Sequence, residues 1–273
     1  KKTKKVVSKP KKTLKKTTKG NYMKVIMLVT NDVARDGRVQ KEAEALSLQH
    51  EVTIIGSGSD AATELLGRPY EVKLVFPSVD GKPLLPKWGT QKTPYLLRVL
   101  TNLTVTARRQ KKWNRICENG MRFPHYIERP EMEHAALTMM PDVVHCHDLD
   151  TLWVGYKIAQ QAGAMLVYDS HEIYLALHFL SDLFKPDYEE IETEIFSQID
   201  GFVTVSPEVG QYLCKKYQSD IEPVVTYNGG THIVETARPL NGRIKFFFQG
   251  AFAHDRNNLE LIEAMPGLRE YAT

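Results

Sequence analysis

The sequence predicts an α/β fold, a doubly wound parallel sheet of Rossmann-like type, and three observations carry that reading. Short β-branched runs recur along the chain, among them MKVIMLVT (23–30), HEVTIIG (50–56), DVVHC (142–146), AMLVY (164–168) and GFVTV (201–205). Most are followed by a polar turn and then a stretch with apolar residues at helical spacing, the rhythm of strand–helix–strand units. The chain is also long enough, at 273 residues with 42% hydrophobic and 25% charged residues, to bury a sizeable core.

Taken in order, the first strand (23–30) leads into the loop NDVARDGRV (31–39), where Asp36 is placed to cap a helix through Val39, Ala43 and Leu46. HEVTIIG is the second strand and YEVKLVF (70–76) the third. The GSG between them lacks the spacing and helix start of a dinucleotide fingerprint. Residues 77–94 hold four prolines and read as an excursion from the sheet. From Tyr95 to Glu118 an amphipathic helix is expected, with Leu96, Leu100, Leu103, Trp113, Ile116 and Cys117 on its apolar side.

The stretch 141–174, PDVVHCHDLDTLWVGYKIAQQAGAMLVYDSHEIY, organises the rest. Two buried strands each end in a polar turn, HDLD (147–150) and DSHE (169–172), and a helix marked by Leu152, Tyr156 and Ala159 and stopped by Gly163 joins them. Ligands of open α/β sheets bind outside the carboxyl ends of the strands. His147, Asp148, His171 and Glu172 therefore point at one cleft. His145 falls within the strand and reads as a core histidine, and Asp148 and Asp150 have an alternative role as caps of the following helix. A helix with Ile191, Ile195 and Ile199 on one face follows, then GFVTV, a helix from Pro207 capped by Ser206, and the strand EPVVTY (222–227) ending in NGG. Those glycines either admit a ligand close to the backbone or make a turn. RIKFFFQGAFA (243–253) and HDRNNLELIEAM (254–265) read as the opening strand and helix of a further unit. The expected organisation is a Lys-rich tail (1–22), a Rossmann-like domain (23–240) and the start of a second domain (241–273).

Charge is unevenly spread. Residues 1–19 hold ten lysines and no acid, so the remainder has 26 basic and 33 acidic groups, a balance of −7 against the overall +3. Such a tail buries too little apolar surface to fold, and reads as a solvated linker or an arm for anionic lipid or nucleic acid. It lacks the apolar stretch of a signal peptide, and Met23 lies where the folded unit begins. Lys87 to Arg129 holds ten basic and two acidic residues. That segment is either a solvated helix face or a basic surface meeting an anionic membrane. It carries no nucleic-acid reading motif, so nucleic acid is not an expected partner. No apolar run approaches the roughly 18 residues of a membrane span. Three cysteines, Cys117, Cys146 and Cys214, show neither metal spacing nor an even count, and a cytoplasmic setting is the default.

Several segments, in order, resemble the glycosyltransferases of family 4: DGRVQKEAEAL with HEVTIIG, PDVVHCHDLDTL, LVYDSHEIY, DGFVTVSPEVGQYL, VVTYNGG and FFFQGAFAHDRNNLELIEAM. The resemblance covers roughly 24–265. It implies a GT-B architecture of two Rossmann-like domains, of which this chain holds the N-terminal, acceptor-side half and a truncated second domain. It implies sugar transfer from a nucleotide-sugar co-substrate, with retention of configuration, to a glycan or lipid-linked acceptor at the cytoplasmic membrane face. It implies no metal and no cofactor. By motif, His147 lies beside the transferred sugar with His171 and Glu172 lining the cleft. Asn228, Gly229, Gly250 and Arg256 fall on the donor side, where amides and a guanidinium suit a pyrophosphate. The family's paired donor-binding glutamates would fall past Thr273, so this chain is expected to be an incomplete, inactive form. A nucleotide-sugar epimerase of the same fold, or a non-catalytic sugar-binding or scaffold module, is the alternative.

Overall fold

The computed structural model describes residues 22–57, 67–75, 78–79, 82–83, 125–177, 180, 182, 184–229 and 257–268. The tail, most of the basic stretch 87–129, the expected helix 95–118, the expected strand 243–253, Gly250 and Arg256 all lie outside the described residues.

The elements are β1 (Lys24–Asp32), α1 (Gly37–Ser47), β2 (Glu51–Ser57), β3 (Glu71–Leu74), a two-residue antiparallel pair β4 (Ser78–Val79) and β5 (Lys82–Pro83), and the short helices α2 (His125–Glu128) and α3 (Pro130–Leu137). Then come β6 (Val143–His147), α4 (Leu149–Ala162), β7 (Met165–Ser170), α5 (Lys185–Ile195), β8 (Gly201–Thr204), α6 (Pro207–Tyr217), β9 (Val224–Val225) and α7 (Asn258–Ala264). Seven strands form one sheet in the order β3-β2-β1-β6-β7-β8-β9. Every pairing in it is parallel. The chain builds outward from β1 to β3, then returns to β1 and builds the other way. The reversal falls between β1 and β6, the position where a doubly wound sheet opens its crevice.

Strand alternation gives β1 two apolar faces, as a sheet covered on both sides requires. Ile26 and Leu28 join Val144, Cys146, Leu152 and Phe202 in one core. Val25, Met27 and Val29 join Val39, Ala43 and Ile54 in the other. Helix α1 therefore covers one face, while α3, α4, α5 and α6 contribute to the opposite one. The expected caps are present: Asp36 Oδ1 accepts from Val39 N at 3.2 Å and Ser206 Oγ from Val209 N at 3.3 Å. Gly163 ends α4 with φ +70°, which only glycine adopts without strain.

Three boundaries depart from the sequence reading. β6 extends to His147 and β7 to Ser170, so His147, Asp169 and Ser170 are the last strand residues and not turn residues. Parallel pairing with the next strand continues there, with His147 opposite Asp169 and Ser170 opposite Thr204. The helix read through Ile199 ends as α at Ile195, and Ile199 has extended backbone leading into β8. Helix α3 is an element the sequence reading did not anticipate; it buries Met132, Ala135 and Ala136, and Lys157 of α4 bonds both Glu128 (2.8 Å) and Glu133 (2.5 Å).

Gly155 fixes how closely α4 lies on the sheet. A Cβ there would sit 2.0 Å from Cys146 Sγ, so the helix rides against β6 at a distance no other residue permits. Because α4 begins at the HDLD turn, this contact also sets the height of the turn above the sheet.

Candidate active site

The carboxyl ends of β6 and β7 and the amino-terminal half of α1 meet at the reversal point. Asp169 is the centre. Its carboxylate is 0% exposed, and Oδ1 accepts from Arg38 Nη2 at 2.6 Å. Its other oxygen, Oδ2, lies 3.3 Å from His147 Nδ1, 3.4 Å from His171 Nε2 and 3.8 Å from His145 Nε2. Burial works to raise the Asp169 pKa, but the surrounding imidazoles outweigh it and hold the carboxyl far below the usual carboxylate range.

Arg38 reaches three ways from α1. Besides Asp169, its Nε donates to Glu42 Oε1 at 3.1 Å, and Nη1 approaches the Thr226 carbonyl at 3.5 Å. Lys41, one turn on, donates to the Gly229 carbonyl at 2.9 Å. Helix α1 thus holds the segment that follows β9. Arg38 and Glu42 are spaced i,i+4 and flank the apolar face of Val39 and Ala43, so both are carried into the sheet interior. Burial, then the charge of Asp169, raises Glu42 to about 7.

His147 is 1% exposed and stacks on His145, ring centroids 4.5 Å apart. Desolvation, with the neighbouring His145, lowers it to about 4, so the imidazole is neutral at physiological pH. Its Nδ1 makes a 3.1 Å hydrogen bond with His171 Nε2. His171 is the partly exposed member of the pair. Burial opposes charge on it, but Asp169 and Asp148 prevail and its pKa is raised.

Asp148 occupies the helix-start position of α4, yet it caps nothing there. Its Oδ1 instead accepts from His171 N at 3.1 Å, and its Oδ2 lies 3.3 Å from His171 Nδ1. The backbone is bent to achieve this: φ 62° and ψ 165° is a region almost reserved for glycine and costs about 1–3 kcal/mol in other residues. The amide of Asp148 donates to the Asp169 carbonyl at 2.9 Å, which holds the turn in place. Desolvation raises the Asp148 carboxyl to about 7. Asp150 likewise caps nothing; it accepts from Thr30 Oγ1 at 2.5 Å and faces Arg129 at 3.5 Å. Thr151, in the first turn, donates its hydroxyl to the His147 carbonyl at 2.8 Å and so ties the helix start to the end of β6.

The structure therefore brings His147, Asp148 and His171 together, and leaves Glu172 exposed, its carbonyl accepting from Ser170 Oγ at 2.6 Å. Asn228 is exposed beyond β9. Gly229 has nothing within 4 Å of where a Cβ would stand, so its backbone needs no glycine among the described residues. Beside the cluster, Asn31, Asp32, Arg35 and Asp36 line an open pocket of about 390 Å³ on the loop after β1. Arg38, Glu42, His145 and Asp169 are the members sequence reasoning missed. The available signal was the burial of an i,i+4 Arg–Glu pair beside strands bearing His145 and His147 two residues apart. Among the described residues, Glu42, His145, His147 and Asp169 each offer a metal-capable donor atom, all within 4.8 Å of one another.

A polar cluster at the reversal point of a doubly wound sheet lies where such sheets take their ligands. The family model described as Glycosyltransferase Family 4 matches residues 39–230, most of the chain and all of this site except Arg38. The protein belongs to Glycosyltransferase Family 4. No curated protein matches the sequence significantly. Solved structures to which the chain is similar include Anabaena HepE in complex with UDP and glucose, at 15% identity and TM-score 0.45 over 77% of this chain and 45% of that one. A glycosyltransferase from Rickettsia africae aligns at 20% identity and TM-score 0.39 over 77% and 44%. Arabidopsis thaliana UGT89C1 complexed with UDP-L-rhamnose aligns at 14% and 0.44 over 91% and 63%. The chain spans less than two thirds of each. Among the described residues no helix is long and apolar enough to cross a membrane.

Proposed function

We propose that the protein transfers a sugar from a nucleotide-sugar donor to a glycan or lipid-linked acceptor, with retention of anomeric configuration. The observation that carries this is the joining of the HDLD and DSHE strand ends at the sheet reversal, in a chain of this family: His147 Nδ1 and His171 Nε2 meet at 3.1 Å beside Asp148. In the reaction the bond between the anomeric carbon and the diphosphate oxygen breaks, and a bond from the acceptor hydroxyl oxygen forms on the same face. The acceptor proton leaves with the diphosphate. Negative charge grows on the diphosphate as the bond breaks, so cations and amides aimed there accelerate the step.

Within this reading His171 and Asp148 border the sugar, while His147, being buried, acts from behind them. Glu172 lines the cleft mouth. Residues 228–229 and 241–273, with Gly250 and Arg256, belong to the donor side. The basic stretch 87–129 directs the protein to an anionic membrane face on the cytoplasmic side, which fits a lipid-linked acceptor.

The test is transfer by the purified protein from a panel of nucleotide sugars to glycan and lipid-linked acceptors, with the anomer of the product read by NMR. Donor consumed without acceptor, giving an isomerised nucleotide sugar, would replace transfer by epimerisation. His171→Gln is expected to lower kcat at least tenfold with the fold retained; an unchanged kcat removes it from the site. Vesicle co-sedimentation showing no preference for anionic lipid at low salt would refute the membrane part.

A further inference from the structure

Three buried polar atoms in one place, Glu42 Oε2, His145 Nε2 and His147 Nε2, have no hydrogen-bond partner, and Asp169 Oδ2 beside them faces only imidazole nitrogens. Native proteins rarely leave even one such atom, and a group of them calls for a bound species. His145 Nε2 lies 3.8 Å from Asp169 Oδ2 and 4.0 Å from Glu42 Oε2. All four donor atoms lie within 4.8 Å of one another, so a small inward shift of the side chains brings them to the ~2.0–2.2 Å at which zinc takes imidazole nitrogen and carboxylate oxygen.

We propose that Glu42, His145, His147 and Asp169 form a buried divalent-cation site of two imidazoles and two carboxylates. No sequence spacing announces it, because the donors come from α1, β6 and β7 and meet only through the strand pairing. The sequence resemblance implies no metal for the transfer itself, and this buried ion is a separate, structural proposal. The inference does not depend on the transferase reading.

The surroundings have the form of a supporting shell. Arg38 bonds the outer oxygen of each carboxylate, Asp169 Oδ1 at 2.6 Å and Glu42 Oε1 at 3.1 Å, and so turns the inner oxygens toward the imidazoles. His147 uses Nδ1 to bond His171, which Asp148 holds from its far side. Outer partners that orient ligands this way are a regular part of metal sites. Nitrogen and oxygen donors without sulfur suit zinc, manganese or iron(II).

The ligand side chains are 14% exposed or less, so the ion does not face substrate. Its work is to tie α1 to β6 and β7. Helix α1 in turn holds the Thr226 and Gly229 carbonyls, so the ion steadies the segment that leaves the sheet after β9.

The experiment uses untagged full chain, stripped with chelator, dialysed, then titrated with Co²⁺ and Zn²⁺. Expected are one ion per chain by elemental analysis, a visible Co²⁺ absorption without the near-ultraviolet thiolate band, and a melting temperature that rises with the ion. Glu42→Gln and His145→Gln, each checked for a cooperative melt, should weaken binding tenfold or more. Glu42→Gln keeps an oxygen for Arg38 and so preserves the fold if His145→Gln does not. Less than 0.2 ion per chain at tens of micromolar free metal, roughly the range where a preformed four-donor site saturates, would overturn the proposal. So would equal binding by wild type and Glu42→Gln, which would place the ion on surface groups.

Discussion

Replacing Gly155 by Ala tests the contact that seats α4, and its size can be worked from the structure. The added methyl would lie 2.0 Å from Cys146 Sγ, with Val144 Cγ1 at 3.4 Å and Leu28 Cδ1 at 3.5 Å. Only the sulfur is in collision. Cys146 is fully buried, so the sulfur has nowhere to turn, and α4 must lift by more than 1 Å, which is roughly the gap to an ordinary contact. Overpacking of this kind costs about 1–3 kcal/mol, and alanine returns up to about 1 kcal/mol of helix propensity. The net expectation is a loss of about 1–2 kcal/mol, or roughly 2–8 °C in Tm for a domain of this size. Cys146→Ala alone removes a buried sulfur and costs about 1–2 kcal/mol as a small cavity. In the double variant the new methyl occupies the space the sulfur left. The pair should therefore be no less stable than Gly155→Ala alone, with a favourable interaction of about 1–2 kcal/mol in a double-mutant cycle. Urea unfolding of the four proteins, followed by far-UV circular dichroism, measures it. Additive losses, or an unchanged Gly155→Ala, would refute the claim that the sulfur sets the height of α4.

Three further outcomes follow from buried charge and strain. Arg38→Met, measured in chelator, takes the guanidinium from the buried Asp169 carboxylate and leaves it only the imidazoles, and should destabilise by about 3 kcal/mol; a loss under about 1 kcal/mol in thermal or urea unfolding would show the pair to be dispensable. Glu192 is buried, accepts from Tyr168 Oη at 3.0 Å and from Tyr217 Oη, and desolvation raises its pKa. An acid raised in the folded state holds its proton longer there than in the unfolded chain, so its ionisation takes stability away as pH rises above the unfolded value near 4.5. Glu192→Gln should then be more stable than wild type at pH 8 and lose that advantage at pH 4; a difference independent of pH would contradict it. Thr151→Val removes the buried hydroxyl bond to the His147 carbonyl and should cost about 1 kcal/mol in urea unfolding, whereas Asp150→Asn should leave that bond intact.

The parallel sheet, the strand ends that carry the cluster and several helix caps were legible in the chain's local pattern. β-branched runs, the i,i+4 apolar face of α1, Asp36, Ser206, Pro207 and Gly163 are local signals, because propensity and capping are fixed by neighbours within a few residues. The HDLD and DSHE turns were legible for the same reason: polar residues directly after buried strands can only sit at the sheet edge. Tertiary structure decided what those residues do. Asp148 reads as a cap from its position, but the 2.9 Å bond of its amide to the Asp169 carbonyl bends it away, and its carboxylate goes to His171 instead. His145 reads as core by alternation, yet strand pairing sets it beside Asp169, with Glu42 arriving from α1 across the sheet. His147 reads as a turn residue, but continued pairing with Asp169 keeps it in the strand and under the surface. Arg38 meets Asp169 across 131 positions of chain and Thr226 across 188. No periodicity or spacing encodes such contacts. They follow from strand order and register, which are settled by burying two apolar faces at once, a property of the whole sheet and of no single segment.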